Sequence, residues 1–129
     1  MTYIKGDIWV AVSEMNPNNC IQVIDVEGNI KRDIRCAFEP FSVKQAPWGD
    51  IIVASDTGLH VLCCGGIVQS TICGDVFFDL SFFGEEVVAL NGSREILQTY
   101  SRSDDGEWRH SGDIAASQGI GSNIDSVVK

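Results

Sequence analysis

The sequence lacks the long apolar run of a membrane protein, and it is poor in basic residues. No stretch approaches the roughly 20 apolar residues that a membrane-spanning helix needs. Residues 8–12 are apolar, but they are too few, and lack the basic flank, for a secretory signal. Nine basic residues stand against 18 acidic ones, which gives a formal net charge of −9. Nucleic-acid binding relies on basic residues that neutralise phosphates, so we do not expect a nucleic-acid partner. Without a membrane span or a signal sequence, we also expect a cytoplasmic protein with no membrane partner.

Motifs of catalysis and metal binding are also scarce. Only two histidines occur, His60 and His110, and no Cys-x-x-Cys or Gly-x-Ser-x-Gly sequence is present. The five cysteines are an odd number, so they cannot all pair within one chain. We interpret them as reduced thiols that behave as small apolar residues. The prediction is a protein without catalytic residues, metal ligands or cofactors, and not an enzyme.

No stretch longer than about ten residues shows helical periodicity. The sequence instead contains an internal repeat. Three segments, beginning at Gly6, Gly49 and Gly84, each read Gly, acid, any residue, two apolar residues and Ala. A second similarity aligns residues 28–36 with residues 65–73 at an offset of 37. Two anchors in the same order indicate a repeat of the size of one β-propeller blade.

Each period predicts four short strands separated by turns. Residues 21–25 alternate as a strand does, and residues 30–35 are polar and basic enough to form a sheet edge. The innermost strands are predicted at residues 41–45 and 77–81. The predicted fold is therefore all-β, with propeller blades of four antiparallel strands. A single domain spans residues 1–129, with repeats at about 6–36, 41–73 and 76–114.

The strand count predicts an offset of one strand. The first blade is expected to lack its innermost strand, and residues 123–128 are expected to supply a lone strand of that type. Three blades are too few for a closed propeller, which usually has four to eight. Two explanations stay open: a homodimer in which each last strand completes the partner's first blade in a six-bladed ring, or a part of a longer propeller.

Residues 6–11, followed by residues 21–25 and 27–29, resemble one repeat of the NHL-repeat β-propellers, which include the C-terminal domains of many tripartite-motif proteins. The resemblance implies a six-bladed ring that binds protein or RNA through its loops, usually without catalysis. The Asn-x-Arg sequence common in NHL repeats is absent, since Cys20 stands where the arginine is expected. The acidic charge also differs from the basic face of RNA-binding members, so the resemblance supports the fold more than RNA recognition.

The predicted function is that of a non-catalytic binding or scaffold module that recognises a protein or peptide, with a basic partner favoured by the charge. In a propeller, the loops from second to third strands and from fourth to next first strands open on one face. The binding residues predicted in those loops are Glu14, Asn16, Asn18, Phe38, Glu39, Asp56 and Asp75.

Several alternatives accompany this prediction. For Phe38 and Phe41, packing between blades is favoured over contact with a partner, and the three tryptophans are expected in blade cores. One alternative function is a metal-dependent hydrolase resembling the gluconolactonase-type propellers, whose candidate ligands would be Asp56, Asp79, Asn91 and Asp125. The other is an RNA-binding domain like those of NHL proteins.

Overall fold

The computed structural model describes residues 2–12, 19–63 and 65–115. The first sheet consists of Thr2–Ile4 (β1), Asp7–Val12 (β2), Cys20–Ile24 (β3) and Ile30–Arg35 (β4). The second consists of Pro40–Gln45 (β5), Ile51–Ser55 (β6), Leu59–Leu62 (β7) and Val68–Cys73 (β8). The third consists of Phe77–Phe83 (β9), Glu86–Asn91 (β10), Ile96–Arg102 (β11) and Trp108–Ala115 (β12). Each sheet is antiparallel with its strands in chain order, which confirms the predicted all-β fold of four-stranded blades.

Nothing in the described parts of the chain forms a helix of the length and apolarity that a membrane crossing requires.

The first sheet begins with a strand of its own. β1 pairs with β2 from Thr2 opposite Trp9 to Ile4 opposite Asp7. The two-residue turn between them has positive φ at both positions, 51° at Lys5 and 86° at Gly6, as a type I′ hairpin requires. The expectation that this blade lacks its innermost strand is therefore wrong. The three residues of β1 are too few to show the apolar–polar alternation of a strand in the sequence. The tight turn at Lys5 and Gly6 is what brings them into pairing with β2.

The presence of β1 removes the basis of the predicted six-bladed ring, in which each chain's last strand would complete its partner's first blade. That ring needed an unfilled first position in the first blade, and β1 occupies it. The lone strand predicted at residues 123–128 lies outside the described residues.

The hairpins between the third and fourth strands are alike in all three sheets. Gly28, Gly66 and Gly106 have φ of 92°, 85° and 87°, a conformation that glycine adopts without strain. Each glycine N–H donates to the carbonyl three residues earlier, and that residue's N–H donates to the carbonyl after the glycine. Gly28 therefore corresponds to Gly66, an offset of 38 residues rather than the predicted 37.

The third repeat is also shifted by one residue. Its first hairpin turns at Gly84 and Glu85, where the first sheet turns at Lys5 and Gly6. Val87 therefore corresponds to Ile8 and packs in the core against the second sheet, whereas the sequence alignment had placed Glu86 at that position. A shift of one residue moves every side chain of a strand to the opposite face, so the correction decides which residues are buried.

Two hydrophobic cores join the sheets. The core between the first and second sheets is mainly aliphatic and includes Trp9, which is 3% exposed. The core between the second and third sheets contains Phe77 and Tyr100, and Trp48 and Trp108 pack against it. The first strands lie next to one another, since β5 contacts both β1 and β9. The three sheets are thus stacked as consecutive propeller blades with their first strands innermost.

Candidate binding site

Adjacent antiparallel strands place the connections at two opposite ends of the sheets. We call one of these the loop end, which consists of residues 36–39, 56–58, 74–76 and 92–95. We call the other the turn end, which consists of residues 5–6, 25–29, 46–50, 63–67 (without 64), 84–85 and 103–107. Phe38, Glu39, Asp56 and Asp75 all lie at the loop end. The predicted residues Glu14, Asn16 and Asn18 lie outside the described residues.

Phe38 packs within the protein. Its ring stacks on the imidazole of His60 with 4.6 Å between centroids and 26° between planes. It also packs against the core between the first and second sheets. The structure therefore agrees with the alternative interpretation of Phe38 as a packing residue.

The predicted acidic residues tie loops together. Asp56 Oδ1 accepts a hydrogen bond from the Glu39 N–H at 2.7 Å, and the Asp56 N–H donates to the Glu39 carbonyl at 3.2 Å. Asp75 Oδ2 accepts from Asn91 Nδ2 at 2.9 Å, and its Oδ1 accepts from Ser93 Oγ at 3.2 Å. The hydrogen bond from Asn91, followed by that from the Val76 N–H, lowers the pKa of Asp75 below its usual value. Both carboxylates thus hold fixed positions, and Asp75 keeps its charge.

Two phenylalanines at the inner strands were not selected from the sequence as a pair. In β5, Pro40 pairs with Ser55 and Ser42 pairs with Ala54, which leaves Phe41 unpaired in a bulge. In β9, Phe78 is left unpaired in the same way, between pairs made by its two neighbours. The two rings meet edge to face at 5.4 Å and 76°. A β-bulge redirects a side chain, and here it does so at the same position of two successive blades.

Phe78 is the exposed member of this pair, with 49% of its surface accessible. Its ring lies against Gly92 in the next hairpin, where a Cβ would come within 2.7 Å of ring carbons. Glycine is needed there for close approach, since the φ of Gly92 is not positive. The bulge and Gly92 together hold the ring in one place on the surface.

Several acidic residues lie close to the two phenylalanines in the sequence. Glu39, Asp75 and Asp79 each lie within three residues of Phe41 or Phe78. Asp79 Oδ1 accepts a hydrogen bond from the Leu80 N–H at 2.8 Å. Within the loop-end residues, Arg94 is the single basic residue, against Glu39, Asp56, Asp75 and Glu95. The loop end thus combines an apolar anchor, Phe78, with an excess of acidic over basic residues, which we call the acidic rim.

A sequence signal for Phe78 existed. Phe77 and Phe78 are consecutive apolar residues at the start of β9, just before the alternation of residues 79–82, and a bulge is one way to place both side chains. Phe41 follows Pro40 in a similar position. Neither signal shows that the two rings touch, because that contact depends on how the blades are stacked.

A hydroxyl–imidazole chain lies beneath Phe38. Thr57 Oγ1 is 2.9 Å from His60 Nε2, and His60 Nδ1 is 2.9 Å from Thr71 Oγ1. Burial lowers the pKa of His60, with a smaller opposing effect of Asp56. This order of groups resembles a nucleophile, a base and an orienting residue.

The backbone beside this chain does not complete an acyl-transfer site. The N–H groups of Thr57 and Gly58 both donate to Ser55 Oγ at 3.1 Å, so neither is available to an oxyanion. The chain of hydrogen bonds instead satisfies a buried imidazole and supports the stacking of Phe38.

The residues considered for a metal that lie in the described part of the chain each have hydrogen-bond partners within the protein. Asp56 and Asp79 each bind a backbone N–H, and Asn91 binds Asp75 and Gln98. Within the described residues, no group of three or more His, Cys, Asp or Glu side chains is arranged to hold a metal ion. Asp125 lies outside those residues.

The cysteines that the structure describes are Cys20, Cys36, Cys63 and Cys73, and none of these four forms a disulfide. Burial raises the pKa of Cys36 to about 11, which keeps that thiol protonated at neutral pH. Cys64 lies outside the described residues.

Two cavities of about 320 and 450 Å³ lie at the turn end, and both are lined by Glu85 and Arg102. Arg102 Nη1 lies 3.0 Å from Asp50 Oδ2, which also accepts from Trp48 Nε1 at 2.8 Å. The guanidinium carbon is 5.6 Å from the Trp48 ring centre and 5.8 Å from that of Trp108. Since Trp48 and Asp50 belong to the second sheet and Arg102 and Trp108 to the third, this cluster is a clamp between blades.

No protein-family model matches the chain, and no curated protein matches it. The resemblance to NHL-repeat propellers therefore stays a prediction.

Proposed function

We propose that this chain is a non-catalytic propeller module of the NHL-repeat kind, whose loop end binds a protein or peptide. The observation that carries the proposal is the pair of bulged phenylalanines, Phe41 and Phe78, in an acidic rim. The bound segment would bring an apolar side chain to Phe78 and basic side chains to the surrounding carboxylates.

The apolar contact supplies the affinity in this proposal. Phe78 is about half exposed and already packed on one side, so a partner covers it without ordering a mobile side chain. Aromatic residues at the centre of an interface, when they are its hot spots, contribute about 2 kcal/mol or more to binding, on the order of a thirtyfold change in affinity.

The negative charge of the protein determines which partners are preferred in this proposal. Asp75 has a lowered pKa and stays ionised, and the whole chain carries a net charge of −9. Complementary charges raise the rate of association and disfavour acidic partners. A basic, partly apolar segment therefore fits the loop end better than an acidic one or a nucleic acid.

The test uses a short synthetic peptide in which lysine and leucine alternate, titrated into the ¹⁵N-labelled protein. We expect NMR shift changes in residues 39–42, 75–79 and 92–94. The same peptide with glutamate in place of lysine should bind far more weakly.

A matched pair of variants locates the contact. Phe78→Ala should weaken peptide binding by about tenfold or more. Phe83→Ala is the control, because Phe83 lies on the same strand, is 60% exposed and sits beside the turn end. Equal losses in both variants, or shift changes at the turn end alone, would contradict the proposal. Binding of single-stranded RNA at low salt would favour the RNA-binding alternative instead.

A further inference from the structure

The third sheet has one face that is turned away from the second sheet. Its central strands, β10 and β11, direct Val87, Ala89 and Tyr100 into the core with the second sheet. Successive residues of a strand point to opposite faces, so the neighbours of these three residues lie on the other side. The residues on that side, which we call the far face of the third sheet, are Val88, Leu90, Leu97 and Thr99.

Two residues of the far face are nevertheless buried. Val88 and Leu97 are each 2% exposed, although neither belongs to the two cores that join the sheets. Neighbours within a sheet do not bury a residue to this extent. Ile8 also points away from the second sheet and lies between Tyr3 and Ile24 in its own sheet, and it is only half-buried. The burial of Val88 and Leu97 therefore requires a further part of the chain above them.

The repeat shows that this face is equivalent to an interface between blades. The residues that correspond to Val88 are Trp9 and Ile52, and those that correspond to Leu97 are Ile21 and Leu59. All four are 0–3% exposed, because in each case the next sheet covers them. The far face of the third sheet is buried to the same degree, although the described part of the chain contains no fourth sheet.

The chain leaves the described region beside this face. β12 ends at Ala115, which pairs with Ile96, and the preceding pair joins Ile114 to Leu97. Residues 116–129 continue from this point. β12 and β10 are separated by β11 alone, which corresponds to about 10 Å, and three or four extended residues cross that distance. The segment is thus long enough to reach both Val88 and Leu97.

The composition of residues 116–129 suits an apolar surface. The branched apolar residues of the segment are Ile120, Ile124, Val127 and Val128. Its charged residues are Asp125 and Lys129, which have opposite signs. A segment with no net charge approaches a protein of net charge −9 without the repulsion that an acidic segment would meet.

We propose that residues 116–129 fold back over the far face of the third sheet and bring their apolar side chains onto Val88 and Leu97. The segment then closes the last blade in place of a fourth sheet, as terminal caps do in repeat proteins. The far face is not available to another blade in this arrangement. A further blade could join the protein only at the first sheet, where Ile8 and Ile24 are half-buried. The cap does not involve Phe78, so it is independent of the proposed peptide binding.

NOEs between methyl groups test the contact in the full chain, labelled at the methyl groups of Ile, Leu and Val. We expect NOEs from Ile120, Ile124 or the two valines of the segment to Val88 and Leu97. Ile8 and Ile24 are the controls, since they lie on an apolar face of the first sheet and should show no NOE to the segment. NOEs to the first sheet alone, or to neither sheet, would overturn the proposal.

A matched pair of substitutions gives a second test. Ile124→Asp places a charge within the segment, and Ile30→Asp makes the same change at a residue of β4 that is 57% exposed. Only Ile124→Asp should shift the methyl signals of Val88 and Leu97, lower the midpoint of urea unfolding and increase the fluorescence of anilinonaphthalene sulfonate, which binds exposed apolar surface. Equal responses of the two variants, or unshifted Val88 and Leu97 signals in Ile124→Asp, would contradict the proposal.

Discussion

The turn end and the loop end of the three sheets differ in how far their connections repeat from sheet to sheet. At the turn end, the hairpins around Gly28, Gly66 and Gly106 repeat one backbone geometry and one hydrogen-bond pattern. At the loop end, two connections also share a turn, since Ser55 Oγ and Asn91 Oδ1 each accept from the N–H groups two and three residues later. Their other side-chain contacts differ, because Phe38 stacks on His60 and Asp75 binds Asn91. The repeated end defines the blades, and the varied end offers surface features that differ from blade to blade. A repeat protein can therefore acquire a binding site without disturbing its repeat.

Bulges at the loop end release one residue each from β5 and β9. In β9, the strand is regular from Phe83 to Asp79 and breaks only at Phe78, close to the loop end. The same holds for β5 and Phe41. The core contacts of each strand are thus preserved over most of its length, and one residue is released for another use.

The largest effect is expected at the turn end, from Trp48→Ala. This change removes contacts with Phe82, Trp108 and Arg102, together with the hydrogen bond to Asp50. Unfolding in urea should show a loss of about 3 kcal/mol, the scale of removing a large aromatic side chain from a packed site. Peptide binding to the folded variant should be unchanged. Lost binding with unchanged stability would reverse the assignment of the two ends.

At the loop end, Gly92→Ala should act on binding. The added Cβ would lie within 2.7 Å of the Phe78 ring and would push it aside. We expect a several-fold weaker titration with the lysine–leucine peptide, with a modest stability loss of about 1 kcal/mol. The comparison fails if the variant binds as tightly as the parent.

Gly106→Ala is the counterpart at the turn end. Nothing lies within 4 Å of the position its Cβ would take, so the effect comes from the positive φ of 87° alone. Thermal unfolding should show a loss of about 1 kcal/mol, because alanine adopts this conformation with strain. Peptide affinity should not change, in contrast to Gly92→Ala.

The smallest expected effect is a pH dependence from His60. Burial lowers its pKa in the folded state, so between that value and the ordinary 6.5 the unfolded chain binds more protons. Stability is therefore complete above about pH 6.5 and decreases as the pH falls through this window. Urea unfolding at about pH 7.5 and about pH 5.5 measures the difference. His60→Gln should reduce it, and an unchanged difference would assign the dependence to other groups.

Much of the fold was predictable from the sequence. The glycine turn before residues 30–35 and their polar, basic composition located β4 to the residue, and the repeat gave four strands per sheet. Most of the predictions that were wrong placed residues one position away from their partners in the sheet. The third repeat was aligned one residue away from its structural position, since Gly84 begins a turn that Gly6 ends. β1 was missed because three residues carry no periodic signal.

The candidate site was predicted less completely. The loops were assigned to one end, where Phe38, Glu39, Asp56 and Asp75 lie, but Phe78 was counted as an ordinary strand residue. Bulges depend on the strand that pairs with them, and pairing partners are not visible in a local pattern. The same is true of the clamp between Asp50 and Arg102, which are 52 residues apart.

Backbone preferences of single residues act locally, so the order of amino acids was enough to specify an all-β chain with glycine turns and short alternating strands. Which face of each strand is buried, where the two bulged rings meet and which edges stay open were decided only when the sheets packed. Those features arise from contacts between residues far apart in the chain, and a shift of one residue reverses them.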